Sequence, residues 1–220
     1  MESDRLDRLG YVVVEGPIGA GKTTLAQRLA EVFNCETLLE APEDNPFLER
    51  FYTEGCSMAL PTQLYFLFQR SKQFKALKQG DLFQPRIVSD FMVQKDPLFA
   101  RLNLDEDELA LYEQVYENMT LEAPVPDLVI YLQAPVDVLL ERIRKRDRPE
   151  ERTIEPDYLQ RLCEAYTDFF YYYDEAPLLI VNSTGINLAE NDDDFQLLLD
   201  RIANTGFGKH YFNPTPLSLK

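Results

Sequence analysis

Short apolar runs alternate along the chain with stretches whose apolar positions recur every three or four residues. These are the signatures of buried strands and amphipathic helices. Tyr11-Val12-Val13-Val14 predicts a strand over roughly 10–15, β-branched as a buried parallel strand requires. Leu25, Ala26, Leu29, Ala30 and Phe33 then share one face and predict a helix over roughly 21–33. Residues 36–40 read as a second strand, stopped at Ala41-Pro42. Asn45-Pro46 predicts a capped start for a short helix through Leu48 and Phe51. Pro61 opens a longer helix, with Leu64, Leu67, Phe68, Phe74 and Leu77 on one face and Gly80 as its stop. Residues 86–90 form the third strand and 98–102 a helical turn or two. Asp105 and Glu108 match a capping box for a helix to about Leu121. Residues 128–132 are the fourth strand, and Pro135 starts a helix through Val138, Leu139 and Ile143. Residues 157–174 are helical, with Tyr171-Tyr172-Tyr173 expected to pack against the sheet. Residues 178–181 are the fifth strand and 195–202 the last helix. The ends, 1–9 and 206–220, lack periodicity and are expected to be loose.

Between the first strand and the first helix lies Gly16-Pro17-Ile18-Gly19-Ala20-Gly21-Lys22-Thr23. It fits G-x-x-x-x-G-K-[ST], the phosphate-binding P-loop. Glycines let backbone N–H groups close around phosphate oxygens, and the following helix points its positive end at the same place. Lys22 would reach the β- and γ-phosphates, and the Thr23 hydroxyl would ligate Mg²⁺. The expected architecture is α/β: a P-loop three-layer fold with a five-stranded parallel sheet covered by helices on both faces. One domain would cover 1–205, with a C-terminal tail over 206–220. Ligands of such sheets sit beyond the strands' carboxyl ends, which brings forward Gly16 to Lys22, Glu40 and Asp90.

Composition narrows the classes. Of 220 residues, 45% are hydrophobic, enough for a core, while 22 Lys and Arg face 38 Asp and Glu for a net charge of −16. So acidic a chain is a poor partner for polymeric nucleic acid or an anionic membrane, and any phosphate must be held by a local basic cluster. Cys35, Cys56 and Cys163 are odd in number and widely spaced, which favours a reducing, cytoplasmic setting. The charged N-terminus lacks a following apolar segment of signal length, and no run approaches a membrane span.

Four groups of residues carry candidate chemistry. Glu40, closing the second strand, can take the proton of an attacking hydroxyl, as an Asp does in protein kinases; a solvated loop glutamate is the plainer alternative. Asp90 closes the third strand, as a carboxylate that organises Mg²⁺ does; a turn cap is the alternative. Arg142, Arg144, Lys145, Arg146 and Arg148 crowd seven positions. They suit charge neutralisation over a triphosphate, and equally a helix C-terminus. Gln63 and Arg70 fall on one helix face, where a glutamine amide can read a base edge; glutamine is also common on helix surfaces.

Together these residues resemble the deoxynucleoside kinases, most closely the bacterial deoxyguanosine/deoxyadenosine kinases, from about Tyr11 to Val181. The pieces are residues 15–24, Glu40 with 43–48, Gln63 followed by Arg70, Asp90 followed by Lys95 and 98–100, and Arg142-x-x-x-Arg146-x-Arg148 with Glu150-Glu151 before 157–159. The resemblance implies ATP and Mg²⁺ as cofactors, a deoxynucleoside as the small-molecule partner, and usually a homodimer. Gly16, Gly19, Ala20, Gly21, Lys22, Thr23 and Thr24 would hold ATP, with Thr23 and Asp90 at the metal. Glu40 would be the base that deprotonates the 5′-hydroxyl. Tyr52 and Glu151 would hold the deoxyribose 3′-hydroxyl, Gln63 would read the base, and Arg70 would stand at the active site. Arg142, Arg146 and Arg148 would form a lid, about 142–155, over the ATP phosphates. One departure stands out: many members follow the carboxylate of strand three with Arg-Ser, whereas Asp90 precedes Phe91-Met92. Lys95 is the candidate replacement for that charge. Two rival readings are a nucleoside monophosphate kinase of thymidylate kinase type, which must bind an acceptor phosphate, and a non-catalytic P-loop regulatory module.

Overall fold

The computed structural model describes residues 6, 8–79, 86–119 and 124–214. Its strands are β1 (Tyr11–Glu15), β2 (Glu36–Leu38), β3 (Ile87–Ser89), β4 (Leu128–Gln133), β5 (Leu178–Asn182) and β6 (Lys209–Phe212). They form one sheet in the order β2-β3-β1-β4-β5-β6, and every pairing is parallel. The helices are α1 (Lys22–Phe33), α2 (Leu48–Glu54), α3 (Ala59–Gln79), α4 (Asp96–Asn103), α5 (Glu106–Asn118), α6 (Val136–Arg146), α7 (Pro156–Tyr172) and α8 (Asp192–Ala203). The expected α/β fold is present.

β1 is central, with Val12 level with Val88 of β3 and Leu128 of β4. All of its residues are buried, so helices cover both faces and the strand must read as a continuous apolar run. α1 follows because its apolar residues recur at helical spacing without an internal Gly or Pro. Leu25, Ala26, Leu29, Ala30 and Phe33 are its buried face, and each of the larger ones contributes about 2 kcal/mol by leaving water. Asn34 ends the helix in the left-handed region at φ 48°, its N–H returning to the carbonyls of Ala30 and Glu31. The carboxyl ends of β1, β2 and β3 therefore lie side by side, with the P-loop, Glu40 and Asp90 just beyond them.

Several expectations need correction. The sheet has six strands: β6 falls in the segment expected to be a loose tail, pairing Lys209 to Phe212 with Leu178 to Val181. It escaped notice because an edge strand of four residues, with only His210 and Phe212 half-buried, gives too little alternation to read. Residues 215–220 lie outside the described residues, as do Gly80 and Leu121. At the other end, Leu6 and Leu9 pack on the core, and their carbonyls accept hydrogen bonds from Arg86. α3 begins at Ala59, ahead of Pro61. Its inward face is Gln63, Leu67, Arg70 and Phe74, so Phe68 turns outward and is 54% exposed. Buried polar residues on that face blurred the apolar period. Tyr171 and Tyr172 are exposed, and only Tyr173 of the three is buried. The capping box at α5 is half made: Asp105 accepts from the Glu108 N–H, while buried Glu108 Oε2 has no hydrogen-bond partner among the described residues.

Candidate active site

The P-loop joins β1 to α1. Gly19 and Gly21 hold φ angles of 84° and 93°, which side chains disfavour. A Cβ on Gly19 would also lie 2.8 Å from the Leu139 carbonyl oxygen. Gly21 caps α1 without a side chain, which leaves the first-turn amides available to an anion. Lys22 Nζ donates to the carbonyls of Gly16 at 2.9 Å and Pro17 at 3.2 Å. Burial lowers its pKa, and the charge of Lys95 adds to the effect.

Asp90 binds the loop to its surroundings. Thr23 Oγ1 donates to Asp90 Oδ2 at 2.5 Å, and the Glu40 N–H donates to Oδ1 at 2.8 Å. Burial raises the Asp90 pKa despite these bonds. A hydroxyl and a carboxylate side by side at the phosphate loop are the hard oxygen donors that suit Mg²⁺, so the pair fits the ion.

Glu40 stands two residues past β2, and α3 holds its loop. Gln73 Nε2 donates to the Leu39 carbonyl at 2.9 Å and Gln69 Nε2 to the Ala41 carbonyl at 3.3 Å. The Glu40 carboxylate is bound by Arg70, whose Nε donates to Oε1 at 3.0 Å and whose second nitrogen bonds the same oxygen. Lys95 Nζ lies 3.6 Å from Oε2. Burial alone would raise the Glu40 pKa, but Arg70, Lys95 and Lys22 outweigh it and hold it at about 2. Glu40 is thus ionised throughout the neutral range. Arg70 also pairs with Asp96 at the start of α4, both side chains being buried.

Lys22, Thr23, Glu40, Arg70, Asp90 and Lys95 wall a cavity of about 400 Å³ with Tyr52, Gln63, Arg148, Glu151 and Tyr158. Gln63 is buried, and the Tyr52 ring stands edge-on to Tyr158 at 6.4 Å. Burial, then Tyr158 and Glu151, raise the Tyr52 pKa well above its ordinary value, so its hydroxyl remains a donor. A second cavity of about 670 Å³ opens on the other side of the loop, against Thr24, Arg142, Lys145, Ser183 and Asn187.

The three arginines expected to form a lid divide between the cavities. Arg142 donates to Ser183 Oγ at 3.1 Å and to its carbonyl at 2.6 Å, facing the second cavity. Arg146 borders both, its Nε donating to Glu151 Oε2 at 3.2 Å. Arg148 borders the first, 3.9 Å from Glu43. The split follows from Asp147, which ends α6 in the left-handed region at φ 51° and turns the chain. Sequence reasoning gave no site role to Glu15, Gln73, Asp96, Tyr158 or Tyr166. Glu15 offered a faint signal, a lone charge ending an apolar run; Asp96 lay ahead of the helical turn expected at 98–102, and Tyr166 was one of many aromatics in the helix expected at 157–174.

A phosphate loop after the central strand of a parallel sheet, opening beside an ionised carboxylate and a polar-lined cavity, defines a P-loop phosphotransferase. The family model for deoxynucleoside kinase matches residues 12–205. The deoxyguanosine kinase of Bacillus subtilis is 35% identical over 195 residues, covering 84% of this chain and 92% of the relative. That of Lactobacillus acidophilus is 31% identical over 208 residues, covering 88% and 89%. Among solved structures, deoxyadenosine kinase from M. mycoides with dCMP and a flexible dCDP bound superposes with a TM-score of 0.74 at 28% identity, over 88% of this chain and 99% of that one. The same enzyme with dATP bound gives 0.73 at 28% identity, over 87% and 98%. The chain belongs to the deoxynucleoside kinase family.

Proposed function

We propose that the chain transfers the γ-phosphoryl of ATP to the 5′-hydroxyl of a deoxynucleoside, with purine deoxynucleosides preferred. One observation carries the choice of a neutral acceptor. The cations nearest Glu40 are already neutralised: Arg70 by Glu40 and Asp96, and Lys95 by Glu15 and Glu40. A monophosphate acceptor would need free cations there, whereas a hydroxyl needs an ionised carboxylate to accept its proton. The purine preference rests on the deoxyguanosine and deoxyadenosine kinases among the relatives.

On this reading the α1 amides and Lys22 hold the ATP phosphates, and Thr23 and Asp90 would hold Mg²⁺, which would supply charge neutralisation for the phosphates. Glu40 orients the 5′-hydroxyl and takes its proton. Tyr52 and Glu151 hold the sugar and Gln63 the base edge. Residues 142–155 act as a lid: Arg146 and Arg148 reach the phosphates, and Arg142 fixes the segment to the loop after β5. Catalysis is then positioning plus charge neutralisation. The reading extends to a cytoplasmic homodimer; Cys35 and Cys163 are free thiols, and a second copy would cover exposed Phe68 and Leu111.

The test is ATP consumption at fixed Mg²⁺ against deoxynucleosides, ribonucleosides and monophosphates, for the wild type and Glu40→Gln. Turnover with purine deoxynucleosides, lost in Glu40→Gln with ATP binding retained, is expected. Turnover with monophosphates alone overturns the acceptor assignment.

A further inference from the structure

Glu15 is the last residue of β1, directly before the P-loop, and its side chain is fully buried. Its two oxygens meet four donors from different parts of the fold. Oε2 accepts the N–H of Gly16 at 3.0 Å and the hydroxyl of Tyr166 on α7 at 3.0 Å. Oε1 accepts the N–H of Met92 at 2.9 Å and lies 3.3 Å from Lys95 Nζ. Lys95, itself buried, continues to Glu40 Oε2 at 3.6 Å. A charged carboxylate in a core needs this many donors to persist. The donor set also joins the start of the phosphate loop, the segment after β3 and the carboxylate expected to take the acceptor's proton.

The unequal distances matter. A lysine is a point charge on a flexible stem. Facing Glu40 alone, it would close to a tight ion pair and occupy the lone pairs needed by the acceptor hydroxyl. Glu15 is the nearer carboxylate and draws the ammonium back. We infer that Glu15 is a positioning residue: it holds Lys95 between two carboxylates, so that Lys95 orients Glu40 without closing onto it. This rests on the reading of Glu40 as the base.

The test measures kcat, the KM for ATP and the thermal midpoint for Glu15→Gln, Lys95→Met and the double variant. Glu15→Gln should lower kcat about tenfold, within the range of couplings between contacting groups, and leave the KM for ATP within about twofold. The double variant should be no slower than Lys95→Met alone, because Glu15 acts through Lys95. A kcat loss of equal size in both backgrounds overturns the inference, since a purely architectural role through Gly16 or Tyr166 would not depend on Lys95. So does a near-wild-type kcat in Glu15→Gln. Should Glu15→Gln fail to fold, Glu15→Asp keeps the charge one methylene short, and the same kcat loss at constant ATP KM is expected; a wild-type kcat overturns the inference. A wild type without deoxynucleoside phosphorylation would instead defeat the proposed function, so the two failures are distinguishable.

Discussion

Replacing Arg70 by Met tests how far the acceptor side depends on its buried charges. Arg70 lies on the inward face of α3, its guanidinium between Glu40 and Asp96, with the Phe66 and Phe91 rings at 5.2 and 5.7 Å. Methionine preserves much of the stem's packing but strands Asp96, whose side chain is only 2% exposed. Glu40 keeps Lys95. Removing one member of a buried ion pair costs about 4 kcal/mol, because the remaining charge cannot regain its hydration. For a chain of this size that lowers the thermal midpoint by roughly 12 °C. Asp96→Asn added to Arg70→Met removes the stranded charge and should recover about half of the loss, whereas independent sites would simply add. Scanning calorimetry on the wild type, the two single variants and the double variant reads this directly. An Arg70→Met midpoint within about 2 °C of wild type, or an Asp96→Asn change that deepens the loss, would refute the reasoning.

Three further outcomes are expected. Glu40 has its pKa lowered from 4.5 to about 2, so its ionised form stabilises the fold fully above pH 4.5, and that contribution is lost as pH falls towards 2. Denaturant titrations should show the stability advantage of the wild type over Glu40→Gln shrinking by about 2 kcal/mol between pH 5 and pH 3; a constant difference would mean Glu40 is not held by its cations. Gly19→Ala places a methyl against the Leu139 carbonyl at a left-handed backbone position, costing about 2 kcal/mol in stability and weakening ATP binding as read by calorimetry; unchanged affinity and midpoint would show that the loop tolerates it. Gln63→Ala should raise the deoxynucleoside KM about tenfold with little change for ATP, and equal effects on both would count against base reading.

The sequence carried the part of the design that is local. Strand, glycine loop and helix follow one another directly, so motif and periodicity located the P-loop, and strand ends located Glu40 and Asp90. Gln63 and Arg70 were placed on one face by their spacing, and both are buried there. What stayed illegible is pairing across the chain. Asp96 sits 26 positions from Arg70, and Tyr166 meets Glu15 across 151; no periodicity encodes such contacts. The buried charges even hid themselves, because Gln63 and Arg70 interrupt the apolar stripe of α3 and made outward-facing Phe68 look like core. The missing arginine after Asp90 had a candidate replacement in Lys95, which does come within ion-pair distance of Glu40; its second carboxylate, Glu15, went unread because only the turn after β3 brings the two together.

The charge distribution also bears on how a product would leave. Around the acceptor position two buried cations, Arg70 and Lys95, stand against the carboxylates of Glu15, Glu40, Asp90, Asp96 and Glu151. Of the arginines proposed as a lid, Arg148 is the loosely engaged one, partly exposed and 3.9 Å from an exposed Glu43. On the proposed reading a neutral nucleoside enters without disturbing these pairs. Once phosphorylated it carries nearly two negative charges beside Glu40, offset by Lys22, Arg146 and Arg148 only while residues 142–155 are closed over it. Binding of the product is then penalised where binding of the substrate was not, and the electrostatics that select a hydroxyl acceptor also favour release of the monophosphate as the lid opens.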